Sequence, residues 1–428
     1  MNCDLIIENA AQLVTCASGG VPKRGAAMQD VGIIENGAVA ISNGKFVGVG
    51  TSKEILAKFA ADETVNADRK VVFPGFVDPH THIVYAGDRL NEFELKIKGA
   101  EYLEILAAGG GIISTVENTR SASVEELVGL GMERLDKMLG CGTTACEIKT
   151  GYGLDIETEL KMLAVIELLD CTHPIDIVPT FLAAHTVPPE FKGRADEYID
   201  LVCEEMLPLA WKWYENSHFA ANGTPFYCDI FTERNAFDVD QMQQLFETAS
   251  ARGFGIKAHV DQFTNLGASR LAVEMNAASI DHLDEISDDE ISILAASGTI
   301  GVVIPTENFN AGKTKFANAR KMIDVDCAVA LSTDYNPGSA PCPSLPLAMA
   351  ISCRYQKLLP SEALNAATVN AAFAIGLGES HGSIEIGKCA DLLICDTGDY
   401  RQICYEFGIL PKISMIKDGI VSPARFER

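Results

Sequence analysis

The sequence predicts an α/β fold, a (β/α)8 TIM barrel carrying a small β domain formed from both chain ends, and three observations predict it. Eight short apolar or β-rich runs alternate with longer amphipathic stretches through the middle of the chain. The two ends share another texture, short strands separated by glycine turns. Five of the eight histidines fall at the C-terminal ends of the eight runs, the rim where barrels keep their chemistry.

The N-terminal strands are expected at Asp4 to Ile7, Ala38 to Ile41, Lys45 to Val49 and Lys70 to Phe73. The barrel runs follow at Gly75 to Val77, Thr143 to Ile148, Asp176 to Leu182, Cys228 to Phe231, Gly255 to Ala258, Ala278 to Ile280, Ile300 to Ile304 and Cys327 to Leu331. Helical periodicity marks Val124 to Leu139, Glu157 to Leu169, Val239 to Ala251, Ser287 to Ala296 and Phe316 to Ile323. After a helical stretch from Ser361 to Ile375, the strand texture returns in Gly387 to Ile394 and Ile413 to Lys417. The expected division is 1–73 and 376–428 for the β domain and 74–375 for the barrel. A doubly wound open sheet competes, but it gathers its chemistry at one switch point, whereas a barrel converges many strand ends on one site.

At 428 residues and 47% hydrophobic composition, the chain buries a large core. A net charge of −25 argues against nucleic acid or an anionic membrane surface as a partner. The thirteen cysteines are odd in number, scattered and without a two-residue spacing, which suits a reduced cytoplasmic interior. No signal peptide or membrane span is expected.

The chemistry starts at Val77-Asp78-Pro79-His80-Thr81-His82. Histidines at i and i+2 on a strand share a face and reach one cation, which is half of a metal site. His185 follows the third run, His259 the fifth, His282 the sixth and Asp334 the eighth. His173, His218 and His381 lie in turns and read as structural or exposed. Imidazoles with one carboxylate suit zinc or iron better than magnesium or calcium. Such an ion activates water, so the expected reaction is hydrolysis at a carbon bonded to nitrogen or oxygen.

From about Met28 to about Ala390 the chain resembles the amidohydrolase superfamily. The resemblance is carried by PGFVDPHTHIVYAGDR (Pro74 to Arg89), GGGIISTVENTR (Gly109 to Arg120), KTGYGL (Lys149 to Leu154) and AAHTVPPEF (Ala183 to Phe191). HVDQ (His259 to Gln262), DHL (Asp281 to Leu283) and TDYNPGSAP (Thr333 to Pro341) complete it. It implies a β-sandwich beside the barrel and one divalent zinc or iron ion per subunit. It also implies a homodimer and a small-molecule substrate, 4-imidazolone-5-propanoate, opened by water to N-formimidoyl-L-glutamate in histidine degradation.

By the same resemblance His80, His82, His259 and Asp334 are the metal ligands. Asp334, His282 and Gln262 are the catalytic set, Asp334 or His282 serving as base. Gln262 is an amide and cannot accept that proton, so it hydrogen-bonds water or the imidazolone ring. Arg89 matches the carboxylate-binding arginine, its planar fork suiting the propanoate. Tyr102, Tyr152 and His185 match substrate contacts, Tyr152 aimed by the flanking Gly151 and Gly153, and Asn336, Gly338 and Ser339 match the pocket wall. Gly109-Gly110-Gly111 reads as a turn near substrate, not a phosphate loop, and Lys149 as structural or pocket-lining.

Two stretches depart from the family pattern. Ile304-Pro305-Thr306-Glu307-Asn308-Phe309 replaces the usual Leu-Pro-Gly and aromatic pair, leaving the pocket's outer wall unassigned. Trp211 to Pro225 is longer than usual but precedes a strand, at the bottom rim. Two other readings compete: an amidohydrolase acting on another cyclic amide or an aminated ring, of cytosine or guanine deaminase type, and a non-catalytic metal-stabilised binding protein. Arg89 and Asn336 discriminate against the first, because a neutral nucleobase needs no carboxylate clamp.

Overall fold

In a computed structural model the chain is described over residues 1–99, 110–408 and 412–421. Among the described residues sixteen strands form two sheets: β1 Asn2–Val14, β2 Ile33–Ser42, β3 Lys45–Thr51, β4 Ala60–Asn66, β5 Val71–Pro74, β6 Phe76–Asp78, β7 Thr143–Lys149, β8 Asp176–Ala184, β9 Tyr227–Phe231, β10 Gly255–Val260, β11 Ser279–His282, β12 Ile300–Val303, β13 Val329–Leu331, β14 Leu392–Cys395, β15 Ile413–Lys417 and β16 Ile420–Val421. β6 to β13 pair in sequence order, all parallel, so each run expected from the sequence is a barrel strand.

First and last barrel strands meet through side chains rather than a regular ladder. The carboxylate of Asp78, fully buried at the end of β6, accepts from Ser332 Oγ at 2.6 Å and Thr333 N–H at 3.2 Å. His82 N–H then donates to Tyr335 O at 3.0 Å, bringing the His80-Thr81-His82 segment alongside the chain after β13. That seam sets the first two histidines beside Asp334.

The barrel helices begin where side chains satisfy the free N–H groups of the first turn. Asp238 with Gln241 and Ser287 with Glu290 form reciprocal capping boxes, while Ser123 and Asp155 accept from residues three further on. The helix expected from Phe316 starts at Ala319, because Asn318 caps it and the Ala317 N–H is taken by Asp284 at 2.9 Å. The stretch from Ser361 to Ile375 is two helices, Pro360–Ala366 and Val369–Ala374. The break frees the Ala367 carbonyl to accept from Val77 N–H on β6 at 2.9 Å. His218, expected in a turn, opens the short helix His218–Asn222 below β9 and bonds Asp170 at 2.6 Å.

The second sheet runs β16-β15-β14-β5-β1-β2-β3, with β4 parallel to β1, and so draws strands from both chain ends. Only Gly75 separates β5 in this sheet from β6 in the barrel. Between β1 and β2 the chain packs against the barrel, with Met28 buried, Lys23 N–H donating to Asn370 Oδ1 at 2.8 Å and Arg24 reaching the Ser297 carbonyl at 2.8 Å. The thirteen cysteines form no disulfide. Among the described residues no helix is long and apolar enough to cross a membrane.

Candidate active site

At the C-terminal strand ends, His80 Nε2 lies 3.1 Å from His82 Nε2, and His82 Nε2 lies 3.4 Å from His259 Nε2. Asp334 Oδ1 is 3.6 Å from His80 Nε2 and 3.5 Å from His82 Nε2. Donors about 2.1 Å from a four-coordinate ion stand roughly 3.4 Å apart, so the cluster has the spacing of a ligand set. Protonation states agree with that. His80 Nδ1 faces Asp281 Oδ2 at 2.6 Å and His259 Nδ1 faces Asp229 at 3.1 Å, so the proton of each ring sits outward and the lone pairs of Nε2 converge. Burial, aided by Lys149, holds His80 well below the usual histidine range; burial and His185 do the same for His82, and burial lowers His259 against the pull of Asp229. Burial pushes the Asp334 carboxyl up to about 7, and a cation at the cluster's centre would draw it back.

Beneath the histidines the barrel interior is charged. Glu147, Lys149, Asp229, Lys257 and Asp281 are all fully buried. Lys149 Nζ lies 2.8 Å from Glu147, 2.7 Å from Asp229 and 3.7 Å from Asp281, and Lys257 lies 2.9 Å from Glu147. The layer sets three carboxylates against two lysines, and Lys149 stands against Asp229 and Asp281, the carboxylates that orient His259 and His80. Lys149 is therefore structural and does not line the pocket.

A cavity of about 560 Å³ opens above the cluster. Every site residue expected from the sequence lines it except His80, which is buried below, and Tyr102, which lies outside the described residues. His185 stacks on His82 with ring centres 5.0 Å apart, its Nδ1 on the Gly151 carbonyl at 3.0 Å, and burial lowers it to about 3. Gly151 sits at φ 104, and a side chain there would press on His185 Nδ1 and the Leu182 carbonyl at 2.8 Å. The buried Tyr152 ring stands 6.0 Å from His82, its hydroxyl held above the usual range by burial.

Arg89 is mostly buried, and its Nε and Nη2 reach the two oxygens of Glu92 at 2.6 Å each. Glu92 also takes the Gly111 N–H at 2.5 Å, tying the helix Leu90–Ile97 to the Gly-rich segment. The guanidinium faces Gly338, where a Cβ would stand 2.5 Å from Nη1. Asn336 spends its amide on the loop itself: it donates to the Asp334 carbonyl at 2.7 Å and accepts from Gly338 N–H and Ser339 N–H at 2.8 Å each. It shapes the wall that the sequence assigned to it rather than offering a free polar group.

The departing loop after β12 carries what sequence reasoning did not find. Glu307 is 2% exposed, with Oε2 2.9 Å from Gln262 Nε2 and 3.2 Å from His282 Nδ1. Burial alone would raise its carboxyl, but His282, with Lys313 and Gln262, brings it to about 2, and Glu307 in turn raises His282 against burial. His282, Asp284 and Glu307 form another acidic-histidine trio, and the Lys313 ammonium stands 3.3 Å from Glu307 there. Asp229 and Asp281 were also unassigned. The signal for all of them was a charged residue inside or just after an apolar barrel run. His282 at φ 85 and Asp334 at φ 50 adopt left-handed backbone that non-glycine residues avoid, a local cost typical of functional strand ends.

The amidohydrolase family model matches residues 71–422. Imidazolonepropionase of Chloroflexus aggregans is 53% identical over 98% of this chain and 98% of its own. The imidazolonepropionase of Herpetosiphon aurantiacus is 48% identical, covering 98% and 97%. Among solved structures, a zinc-bound adenosine deaminase from Xanthomonas campestris superposes with a TM-score of 0.70 at 19% identity, over 98% of this chain and 93% of the other. E. coli guanine deaminase gives 0.68 at 15%, over 98% of each. At those identities the structures speak for the fold alone.

Proposed function

The chain belongs to the amidohydrolase family, among its imidazolonepropionases, and from that membership we propose that it opens the ring of 4-imidazolone-5-propanoate with water, giving N-formimidoyl-L-glutamate. The observation that carries this reading is the meeting, in one cavity, of the histidine–aspartate cluster with the Arg89 guanidinium. His80, His82, His259 and Asp334 would hold one divalent zinc or iron ion, which when bound acidifies water and polarises an amide oxygen.

The rest is work for the chain's own residues. Arg89 takes the propanoate, so the ring lies between it and the cluster. Asp334 directs Oδ1 at the histidines and keeps Oδ2, 3.4 Å from Ser339 Oγ, to take a proton from the attacking water. Water adds to the ring's amide carbon, the carbon–nitrogen bond breaks, and the leaving nitrogen takes a proton. His282, backed by Glu307, is placed to deliver it. Tyr152 and His185 flank the ring and keep bulk water from it.

A nucleobase deaminase reading is disfavoured by Arg89, a guanidinium on the cavity wall that a neutral base does not call for, and a purely binding role by the Glu307-backed His282 beside the ligand set. From the same membership we infer a homodimer, which sedimentation checks. The deciding experiment follows loss of freshly generated imidazolonepropanoate absorbance with the purified protein, before and after chelation. Turnover that disappears on chelation and returns with zinc or iron is expected; a metal-replete protein without turnover would overturn the reading.

A further inference from the structure

Resting on that ring-opening reading, we propose that Glu307 is the positioning carboxylate of this site, fixing the orientation of both Gln262 and His282 without itself facing substrate. It lies on the short helix Pro305–Asn310 after β12, buried behind the cavity wall, whereas Gln262 and His282 line that wall. One oxygen, Oε2, meets Gln262 Nε2 at 2.9 Å and His282 Nδ1 at 3.2 Å, while Lys313 neutralises the other at 3.3 Å.

The chemistry of a carboxylate makes this directional. It accepts hydrogen bonds and donates none, so the Gln262 amide has one tolerable orientation: NH₂ toward Glu307 and Oε1 toward the cavity. The reverse would press a carbonyl oxygen against an anion. His282 Nδ1 faces the same oxygen at 3.2 Å, within range of its charge though not aligned as a hydrogen bond, so the carboxylate favours the ring proton on that side. The wall therefore presents an acceptor at Gln262, which selects a ring bearing an N–H there, as a cyclic amide or amidine does. It rejects a ring edge offering only lone pairs.

The arrangement also explains why position 262 is an amide. A glutamate there would set two carboxylates about 3 Å apart in a buried site. The negative charge of this wall resides at 307, and its location is exchangeable in principle between the two positions.

Three variants test this: Glu307→Gln, Gln262→Glu, and the two combined. Glu307→Gln is expected to lower kcat/KM by about tenfold to a hundredfold, with metal content and Tm unchanged. Gln262→Glu should lose more, because it adds a like charge beside Glu307, and the double variant should recover much of that loss because it restores a single carboxylate to the pair. Kinetics of Glu307→Gln within about twofold of the parent, or a double variant no better than Gln262→Glu, would overturn the proposal. Nitrogen NMR of the histidine rings in the zinc-loaded protein gives a readout independent of turnover. A protonated Nδ1 on His282 that is lost in Glu307→Gln is expected, and an unprotonated Nδ1 in the parent would defeat the proposal even if the imidazolone is the substrate. Should the protein lack turnover yet show that Glu307-dependent proton, only the choice of substrate falls.

Discussion

The β domain fills its centre with Leu5, Ile7, Val39, Ile41, Phe46, Val72, Leu392 and Ile416, all buried and all apolar, whereas the upper barrel interior holds Glu147, Lys149, Asp229, Lys257 and Asp281 at equal burial. Both regions are buried, yet only one gains from the hydrophobic effect. Five buried charges bring desolvation costs that mutual attraction roughly offsets at best. What they return is orientation: Asp281 and Asp229 hold the rings of His80 and His259, and Lys149 holds those carboxylates. The contrast separates a core that stabilises from a core that prepares a site.

That difference breaks most visibly at its functional end. Asp334→Ala removes a cluster donor and the base, and kcat on metal-supplemented protein should fall on the order of a thousandfold or more. Near-normal kcat would reassign the base. Next, Lys149→Met leaves Glu147, Asp229 and Asp281 under-compensated, and chemical denaturation should show about 3–5 kcal/mol of lost stability together with weaker metal retention. By contrast Leu392→Ala, in the apolar core, should cost about 2–5 kcal/mol while kcat below the melting transition stays at the parent level. If the two variants lost activity alike, the division of labour would be wrong. Arg89→Met should raise KM by about tenfold to a hundredfold with a smaller change in kcat, since the guanidinium contributes binding in ground and transition states alike.

The smallest effect lies at the seam between the two units. His381, near β14, bonds Asp176 at the foot of β8 at 2.8 Å, with Asp391 and Lys417 around them and Cys389 also in contact. Burial opposes its charge, but Asp176 and Asp391 hold His381 up to about 10. The folded state thus binds this proton more tightly than the unfolded chain, so the contribution is full below about pH 6.5 and fades as pH rises toward 10. Melting temperature should decline over that window in the parent and decline less in His381→Asn. A parallel decline in both would place the titration elsewhere.

The barrel was legible because its strands are short apolar runs and its helices are longer amphipathic stretches such as Val239 to Ala251. That His80, His82, His185, His259, His282 and Asp334 share one rim followed from their places at run ends, whereas the choice of His80, His82, His259 and Asp334 as a ligand set came from the family resemblance. Asp229 and Asp281 escaped notice as ligand supports because a carboxylate within a strand looks the same whether it faces a histidine or a lysine. Glu307 escaped because its loop follows no family pattern, and its partners Gln262 and His282 are 45 and 25 residues away along the chain.

By itself the sequence determined the order of strands and helices, the residues at the strand ends and hence the kind of chemistry, since periodicity and side-chain type are local properties. Only the tertiary structure decided which nitrogen of each histidine faces inward, that Arg89 already holds Glu92, and that a buried glutamate from an unpromising loop sets the orientation of Gln262 and His282. Those are facts of distance and direction between residues far apart in sequence, and they exist only once the barrel has closed.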